Sequence, residues 1–394
     1  MIAQVIFNLP LERAFDYLIP PGWEALIQPG VRVEAPFGRR RLVGYVVKTA
    51  ARSAVKELKT LLRLIDRVPV LAADQWKLAQ WMADYYGCSL GEAIASLVPT
   101  ALRIREDSES AEPLVQRSVE QGPALTTEQQ RAFDALTAAT TAKRFAAFLL
   151  HGVTGSGKTE LYLRLISEVL RQGRSAICLV PEIMLTPQAI DRFRQRFGEA
   201  AAIWHSRLTA RRRALTWHDL STGRCRIVVG TRSAVFAPLA HLGLIVLDEE
   251  HDPSYKQDDA PRYHAREVAM ARAREAGAVV ILGSATPSVE SYHAATRKRL
   301  RLLELTTRVQ GRALPKVEIV DLRQELVHGR RGPLLSLRLQ RALEHVVALQ
   351  EQAILLLNRR GFARIAQCPA CGTVVRCDAC SVPLIYHATT RELR

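Results

Sequence analysis

The chain has 394 residues, with 55 Lys and Arg against 39 Asp and Glu and a formal net charge of +16. That length supplies two to three domains with cores of their own, and the positive excess points to polyanionic partners, nucleic acid first. No apolar run approaches the roughly 18 residues of a membrane-spanning helix, and Met1-Ile2-Ala3-Gln4 puts no basic stretch before an apolar core; the reading therefore expects no membrane, no secretory signal and a cytoplasmic protein.

Residues 1–70 are short apolar runs punctuated by Pro20-Pro21-Gly22, Gln28-Pro29-Gly30 and Pro36-Phe37-Gly38. That rhythm predicts a small β-barrel or sandwich. Residues 71–102 have helical spacing, with Trp76, Leu78, Trp81, Met82 and Tyr85 on one apolar face that reads as core. The polar stretch Arg105-Glu106-Asp107-Ser108-Glu109-Ser110 reads as a linker. From 124 to 310, strand-like runs at 145–150, 176–180, 227–230, 244–247 and 278–282 alternate with helical segments, the pattern of a parallel α/β domain. Ile354-Leu355-Leu356-Leu357 is expected to open a second α/β unit.

Two strings carry the chemistry. Gly152-Val153-Thr154-Gly155-Ser156-Gly157-Lys158-Thr159 fits the phosphate-binding loop, between an apolar strand and a helical pattern. Glycines at Gly152, Gly155 and Gly157 let backbone N–H groups, with those of Thr154 and Ser156, face phosphates at a helix start. Lys158 would reach the terminal phosphates and Thr159 a magnesium ion. Asp248-Glu249-Glu250-His251 ends the apolar run Leu244-Ile245-Val246-Leu247. There Asp248 would hold Mg2+ and Glu249 would orient or deprotonate a water. ATP and Mg2+ are the cofactors expected.

Loops at Val180–Gln188, Val229–Ala234 (with Arg232) and Gly283–Pro287 each follow a strand, along the carboxyl edge where ligands bind. Their hydroxyls and amides suit a nucleic-acid backbone. Cys88, Cys178 and Cys225 stand alone, while Cys368/Cys371 and Cys377/Cys380 are two pairs at zinc-hook spacing. The pattern is a reduced one. The four thiols either share a Zn2+ ion or remain reduced cysteines.

The order of these loops beside the phosphate loop resembles the superfamily 2 DNA helicases. Asp248-Glu249-Glu250-His251-Asp252-Pro253-Ser254-Tyr255-Lys256-Gln257 with Pro261-Arg262-Tyr263-His264-Ala265-Arg266 resembles the Walker B motif and aromatic-rich loop of the primosomal replication-restart helicases, the PriA (primosomal protein N′) family. The resemblance implies that Tyr255 and Tyr263 stack on bases while Arg232, Lys256, Arg262 and Arg266 meet phosphates. Phe15-Asp16-Tyr17-Leu18, Gly30–Val33 and Pro36–Gly38 are similar to that family's 3′-DNA-binding domain. This implies a pocket of Phe15, Asp16, Tyr17, Gly38 and Lys59. Phe15 or Tyr17 would stack on a terminal base, Asp16 accept from a 3′-hydroxyl and Lys59 pair with phosphate. Leu125–Gln129 resembles the adenine-contact segment, with Gln129 reading the base edge, and Asn358–Ala363 resembles the first second-lobe motif.

The fold class so implied is α/β, a RecA-like helicase lobe on a parallel sheet preceded by a small β-rich DNA-binding domain. Its expected divisions are 1–103 (3′-DNA binding), 104–123 (linker), 124–310 (lobe 1), 311–367 (start of lobe 2) and 368–394 (zinc-binding segment). The implied function is an ATP-dependent 3′→5′ DNA helicase of replication restart that recognises stalled forks and D-loops and initiates primosome assembly. Its partners would be forked and single-stranded DNA with 3′ ends, primosome proteins and single-stranded DNA-binding protein. The chain departs from the family in two places: Ala101 to Ala124 is too short for a winged helix, and Arg394 falls inside the zinc segment. The alternative is therefore a truncated fork-binding protein that binds ATP and DNA and unwinds little. A small-molecule kinase is disfavoured, because nothing resembles an acceptor pocket. The helicase reading needs Lys158 beside Asp248, and it needs Tyr255 and Tyr263 outside the hydrophobic interior.

Overall fold

The structure, a computed structural model, describes residues 1–99, 122–309, 316–321, 335–356, 368, 371, 373–387 and 392–393. It divides into two units, Met1–Arg312 and Ala313–Arg394. Residues 104–121 of the expected linker and the Asn358–Ala363 motif lie outside the described residues.

The first unit opens with strands β1 (Ile2–Phe7), β2 (Phe15–Leu18), β3 (Arg32–Phe37), β4 (Arg40–Ala50), β5 (Lys59–Thr60) and β6 (Arg63–Leu64). They form one sheet in the order β5-β2-β1-β4-β3-β6. The long β4 pairs antiparallel with both β1 and β3. Gly44 makes this possible, since a Cβ there would come within 2.5–2.8 Å of Val5, Ile6 and Phe7. Val5, Phe7, Tyr17, Val31, Val33, Ala35 and Val46 fill the interior, as the alternating pattern requires.

Helices α1 (Ala73–Tyr86) and α2 (Leu90–Leu97) follow. Gly87 ends α1 in the left-handed region (φ 60°), and Ser89 caps α2 in a reciprocal box with Glu92. The buried face of α1 is Gln75, Leu78, Ala79 and Met82, spaced i, i+3, i+4, i+7. Tyr85, expected on that face, is exposed and stacks on Trp81 at 4.9 Å.

Next comes a seven-stranded sheet of β7 (Ala146–Gly152), β8 (Ser175–Leu179), β9 (Ala201–Trp204), β10 (Ile227–Gly230), β11 (Leu242–Asp248), β12 (Val279–Ser284) and β13 (Arg301–Leu305). The order is β13-β7-β12-β11-β8-β10-β9, and every pairing is parallel. Helices α3 (Thr127–Thr141), α4 (Lys158–Arg171), α5 (Pro187–Phe197), α6 (Ala210–Ser221), α7 (Ala265–Ala276) and α8 (Val289–Thr296) alternate with these strands. The five expected strands are the five central ones, and β8, β10, β11 and β12 are buried along their whole length, as strands covered on both faces must be. The two missed strands, β9 and β13, are the edges. This is the RecA-like lobe expected, preceded by the β-rich domain.

The two parts of this unit share a core. One buried cluster runs from Ile6 and Tyr45 through Leu78, Met82 and Ile94 to Phe236, Tyr263 and Val268. Gln75 Nε2 donates to the Phe236 carbonyl at 3.2 Å, and the Tyr86 hydroxyl accepts from the His264 N–H at 3.1 Å. Arg272 of α7 donates to the Val235 and Ala237 carbonyls at 2.6 and 2.7 Å and lies 3.8 Å from Asp74 of α1.

In the second unit, α9 (Leu337–Ala348) is capped by Ser336. Ile354 and Leu356 are 98% and 93% exposed and form no strand, so the described part of the expected opening strand is not one. β14 (Tyr386–His387) and β15 (Glu392–Leu393) make a short antiparallel pair.

Met82 is fully buried where these parts meet. Met82→Ala should lower stability by about 2–5 kcal/mol. Because the core is continuous, tryptophan fluorescence and far-UV circular dichroism in a urea titration should shift together; separate transitions would show two independent cores.

Candidate functional site

The phosphate loop lies between β7 and α4. Gly155 and Gly157 have φ of 82° and 83°, a region closed to side chains at low cost. At Gly157 a Cβ would also come within 2.3 Å of Gln129 Nε2. Lys158 is the first residue of α4 and is 8% exposed, and its Nζ donates to the Gly152 carbonyl at 2.7 Å. The Ser156 Oγ is buried with no hydrogen-bond partner. Thr154 to Thr159, Asp248 and Glu249 all line one cavity of about 620 Å3. The strand order explains this convergence: β12 alone separates β7 from β11, so both loops leave the same carboxyl edge.

Asp248, the last residue of β11, is 8% exposed, and its Oδ1 accepts from the Tyr162 hydroxyl at 3.1 Å. Burial, followed by the charge of Glu249, pushes its carboxyl up to about 6, with Lys158 pulling the other way. Burial and the Asp248 charge hold Tyr162 well above the ordinary phenol range, so it stays a donor. A divalent cation in the cavity would favour the ionised Asp248. Glu249 sits at φ 45°, a backbone conformation that costs about 1–3 kcal/mol and clusters at functional sites. Its Oε2 is 3.5 Å from Ser284 Oγ, which also lies 2.8 Å from His251 Nδ1 and accepts from the Thr286 N–H at 2.9 Å. The third acid differs. The Glu250 side chain is fully buried and accepts from the Ser288 N–H at 2.7 Å, the Ser291 hydroxyl at 2.7 Å and the Ser288 hydroxyl at 3.1 Å. It anchors the start of α8, a role the sequence reading missed.

Several expected contacts are corrected by burial. Gln129 is 3% exposed; its Oε1 accepts from the Thr126 N–H at 2.8 Å and its Nε2 donates to the Ser156 carbonyl at 2.7 Å. Its amide is committed to the phosphate loop and the α3 cap, and at this burial it offers little of its remaining edge to adenine. Tyr255 is 0% and Tyr263 5% exposed, so neither can stack on a base. Tyr263 packs on Phe236 at 5.0 Å, and Tyr255 donates its hydroxyl to the Asp248 carbonyl at 2.7 Å. The condition that both tyrosines lie outside the hydrophobic interior is therefore not met; the acid strand is tied to the aromatic-rich loop by a buried hydrogen bond instead, and the reading is left to rest on Lys158 beside Asp248. Arg266 is bound to Glu250 at 3.4 Å and to the Ser288 and Ser291 hydroxyls at 3.1 Å each, so it is an internal strut. Arg232 donates to the Ser254 carbonyl at 3.1 Å and to that of Lys256, which holds the loop from below. Lys256 and Arg262 remain exposed; Lys256 donates to the Arg262 carbonyl and Arg262 to the Asp258 carbonyl.

In the N-terminal sheet, Phe15, Asp16, Tyr17, Gly38 and Lys59 line a second cavity of about 500 Å3 together with Arg13, Pro36, Phe37 and Glu57. Tyr17 is 4% exposed and donates its hydroxyl to the Pro36 carbonyl at 3.0 Å, which rules out stacking on a base. Phe15 is half-buried, with the Arg13 guanidinium 4.9 Å over its ring. The Asp16 carboxylate accepts from Gln4 at 3.2 Å and from Ser53. Arg13 and Glu57 went unnoticed in the sequence because they bear no motif.

Two families match the chain. The 3′DNA-binding domain (3′BD) family, PriA_3primeBD, matches residues 4–99, and the DEAD/DEAH box helicase family matches residues 126–295. A replication restart protein PriA from Treponema pallidum (strain Nichols) is 43% identical over 392 residues, covering 98% of this chain and 58% of its own. The chain belongs to the PriA family. The PriA of Bacillus subtilis (strain 168) is 32% identical over 534 residues, covering all of this chain and 66% of its own. That of Synechocystis sp. (strain ATCC 27184 / PCC 6803 / Kazusa) is 45% identical over 317 residues, covering 78% of this chain and 38% of its own. The chain therefore spans less than two thirds of the length of these PriA relatives.

Among the described residues, no group of three or more His, Cys, Asp or Glu side chains is arranged to hold a metal ion. Cys368, Cys371, Cys377 and Cys380 are free thiols. Hydrogen bonding with Thr373 draws the Cys371 thiol down to about 7, and the backbone N–H groups of Ala379 and Cys380 draw Cys377 down. No helix among the described residues is long and apolar enough to cross a membrane.

Gln129→Ala removes one arm of the α3 capping box and the donor to a buried carbonyl. Stability should fall by about 1–3 kcal/mol in denaturant titrations. Any loss of nucleotide affinity should be equal for adenine and guanine nucleotides; a loss confined to adenine would restore the base-reading role.

Proposed function

We propose that this chain is the ATP-binding and DNA-engaging part of a replication-restart helicase. The reading is an ATP-dependent 3′→5′ DNA helicase that recognises stalled forks and D-loops through 3′ ends and initiates primosome assembly, with primosome proteins and single-stranded DNA-binding protein as partners. One observation carries it: Lys158, Thr159, Asp248 and Glu249 line a single cavity beside a buried, unpartnered Ser156 hydroxyl. An orphaned buried hydroxyl is rare, and here it lies among glycine-freed backbone N–H groups at a helix start, which is an anion site. We assign residues 1–103 to 3′-end binding, 124–310 to the first lobe, and 311–367 to the start of a second.

In this reading the phosphate-loop N–H groups and Lys158 hold the β- and γ-phosphates. Thr159 and Asp248 hold Mg2+, which would neutralise charge on the phosphate oxygens. Glu249 orients the attacking water, and its position depends on the Ser284 and His251 contacts. Lys256 and Arg262 face the DNA backbone, while Tyr255 fixes their loop to the strand that ends in Asp248. In the N-terminal cavity Phe15 offers an aromatic face, Asp16 an acceptor for a 3′-hydroxyl and Lys59 a cation for phosphate. Zinc at Cys368, Cys371, Cys377 and Cys380 extends the reading. Their paired spacing supports it, as does the pull of Cys371 and Cys377 toward thiolate; purified protein without bound zinc would remove it.

Lys158→Ala should abolish ATP binding, and ATP turnover wherever the chain supports it, while fork binding persists, checked by calorimetry and by mobility shift. Asp16→Ala should weaken binding to forks with a free 3′-hydroxyl by about tenfold, in line with a lost charge-assisted hydrogen bond. Forks ending in a 3′-phosphate should be nearly unaffected; equal losses would reduce Asp16 to a support for the fold.

A further inference from the structure

The cavity that holds Lys158 and Asp248 does not stop at the phosphate loop. It continues past Glu160 and Leu163 of α4 to Met184, in the turn after β8, and to Arg192, Gln195 and Arg196 of α5, which complete the wall. Arg192 and Arg196 are four residues apart on α5, so they share one helix face. Both therefore add positive charge to a cavity that already contains Lys158.

Arg196 has the wrong surroundings for a purely structural arginine. Its side chain is only 11% exposed, its Nε is buried without a hydrogen-bond partner, and its nearest acid, Glu160, is 4.0 Å away. That acid is already bonded to Arg164 at 2.7 Å. Compare Arg272, whose side chain is also buried and whose guanidinium donates to two carbonyls at 2.6 and 2.7 Å. Leaving a guanidinium N–H buried and unbonded is costly. The acids Glu160, Asp248 and Glu249 line the same cavity as Lys158, Arg192 and Arg196, but none of them bonds the Arg196 Nε; a phosphate oxygen in the cavity would. A planar guanidinium suits phosphate oxygens because it can donate two parallel hydrogen bonds. The volume of about 620 Å3 falls within the usual range for small-molecule sites, roughly 300–1,000 Å3.

We infer that Arg196, assisted by Arg192, contacts the phosphates of the bound nucleoside triphosphate, so that the first lobe itself supplies guanidinium charge to the nucleotide. The inference rests on the ATP site proposed above and deepens it. Met184 and Gln195 complete the wall between the two arginines and the loop after β8, which links this contact to a loop expected at the nucleic-acid surface.

The test is equilibrium binding of a fluorescent ATP analogue and of AMP to the full chain with Mg2+, using wild type, Lys158→Ala, Arg196→Ala, Arg196→Lys and Arg192→Ala. Arg196→Ala should weaken ATP by about ten- to a hundredfold and AMP by much less. Arg196→Lys should recover part of the loss, and Arg192→Ala, at an exposed position, should show a smaller loss of the same selectivity. Melting curves without nucleotide should match the wild type for Arg192→Ala and Arg196→Lys, which keeps the test decisive if Arg196→Ala fails to fold. Wild-type ATP affinity in the arginine variants, with binding lost in Lys158→Ala, overturns the inference and leaves the ATP site standing. Equal losses for ATP and AMP overturn the phosphate contact. A wild-type chain that binds no nucleotide removes the site itself and the inference with it.

Discussion

Asp248 is gripped from both sides at the end of β11. Its carbonyl accepts the Tyr255 hydroxyl and its carboxylate accepts the Tyr162 hydroxyl. Both phenols are buried, so neither bond competes with water, and in a low-dielectric interior each is held more firmly than at a surface. Tyr162 belongs to the helix that begins with Lys158, and Tyr255 to the loop that carries Lys256 and Arg262. One residue therefore couples the phosphate-loop helix, the acid strand and the exposed basic loop. A shift of the strand end by a fraction of an ångström cannot leave the other two elements undisturbed, because close-packed interiors transmit small displacements.

The N-terminal sheet enters the same arrangement through α1. Gln75 and Arg272 hold successive carbonyls of the segment that begins with Arg232, and Tyr86 holds the backbone of His264 where the basic loop returns. The guanidinium of Arg232 then closes on the Ser254 carbonyl. The Gln75 and Arg272 bonds are buried and that of Tyr86 is partly so, and through Gln75 and Tyr86 two strand-end loops are joined to a helix from another part of the chain. The cavity around Asp16 and the cavity around Lys158 thus belong to one body with a shared interior, rather than to two domains joined by a tether. Surface pairs such as Lys77 with Glu275 add little to this, since exposed ion pairs contribute about 0–1 kcal/mol.

Much of this was legible in the amino-acid string. The five central strands were, because each is a short apolar run bounded by turn residues, and so was the phosphate loop, because only glycines tolerate φ near 82°. The edge strands β9 and β13 were not. Arg301-Leu302-Leu303-Glu304-Leu305 has three residues exposed, so it lacks the unbroken apolar signature of its neighbours. The aromatic face of α1 was half right: Leu78 and Met82 are inside, whereas Tyr85 points to solvent.

The sequence by itself determined which atoms are available: two flexible glycines before a lysine, acids after a strand, a basic excess, and a family membership written in ordered motifs. Tertiary structure decided which of those atoms face the cavity. Of three consecutive acids, Asp248 and Glu249 line it and Glu250 is consumed by the start of α8. Tyr17, Tyr255, Tyr263 and Gln129, all read as ligand contacts, are turned inward. The reason is that burial depends on neighbours far away in the chain. Tyr263 is covered by Phe236, and Gln129 bonds to Ser156 across 27 residues. No local pattern of residue types records those distances.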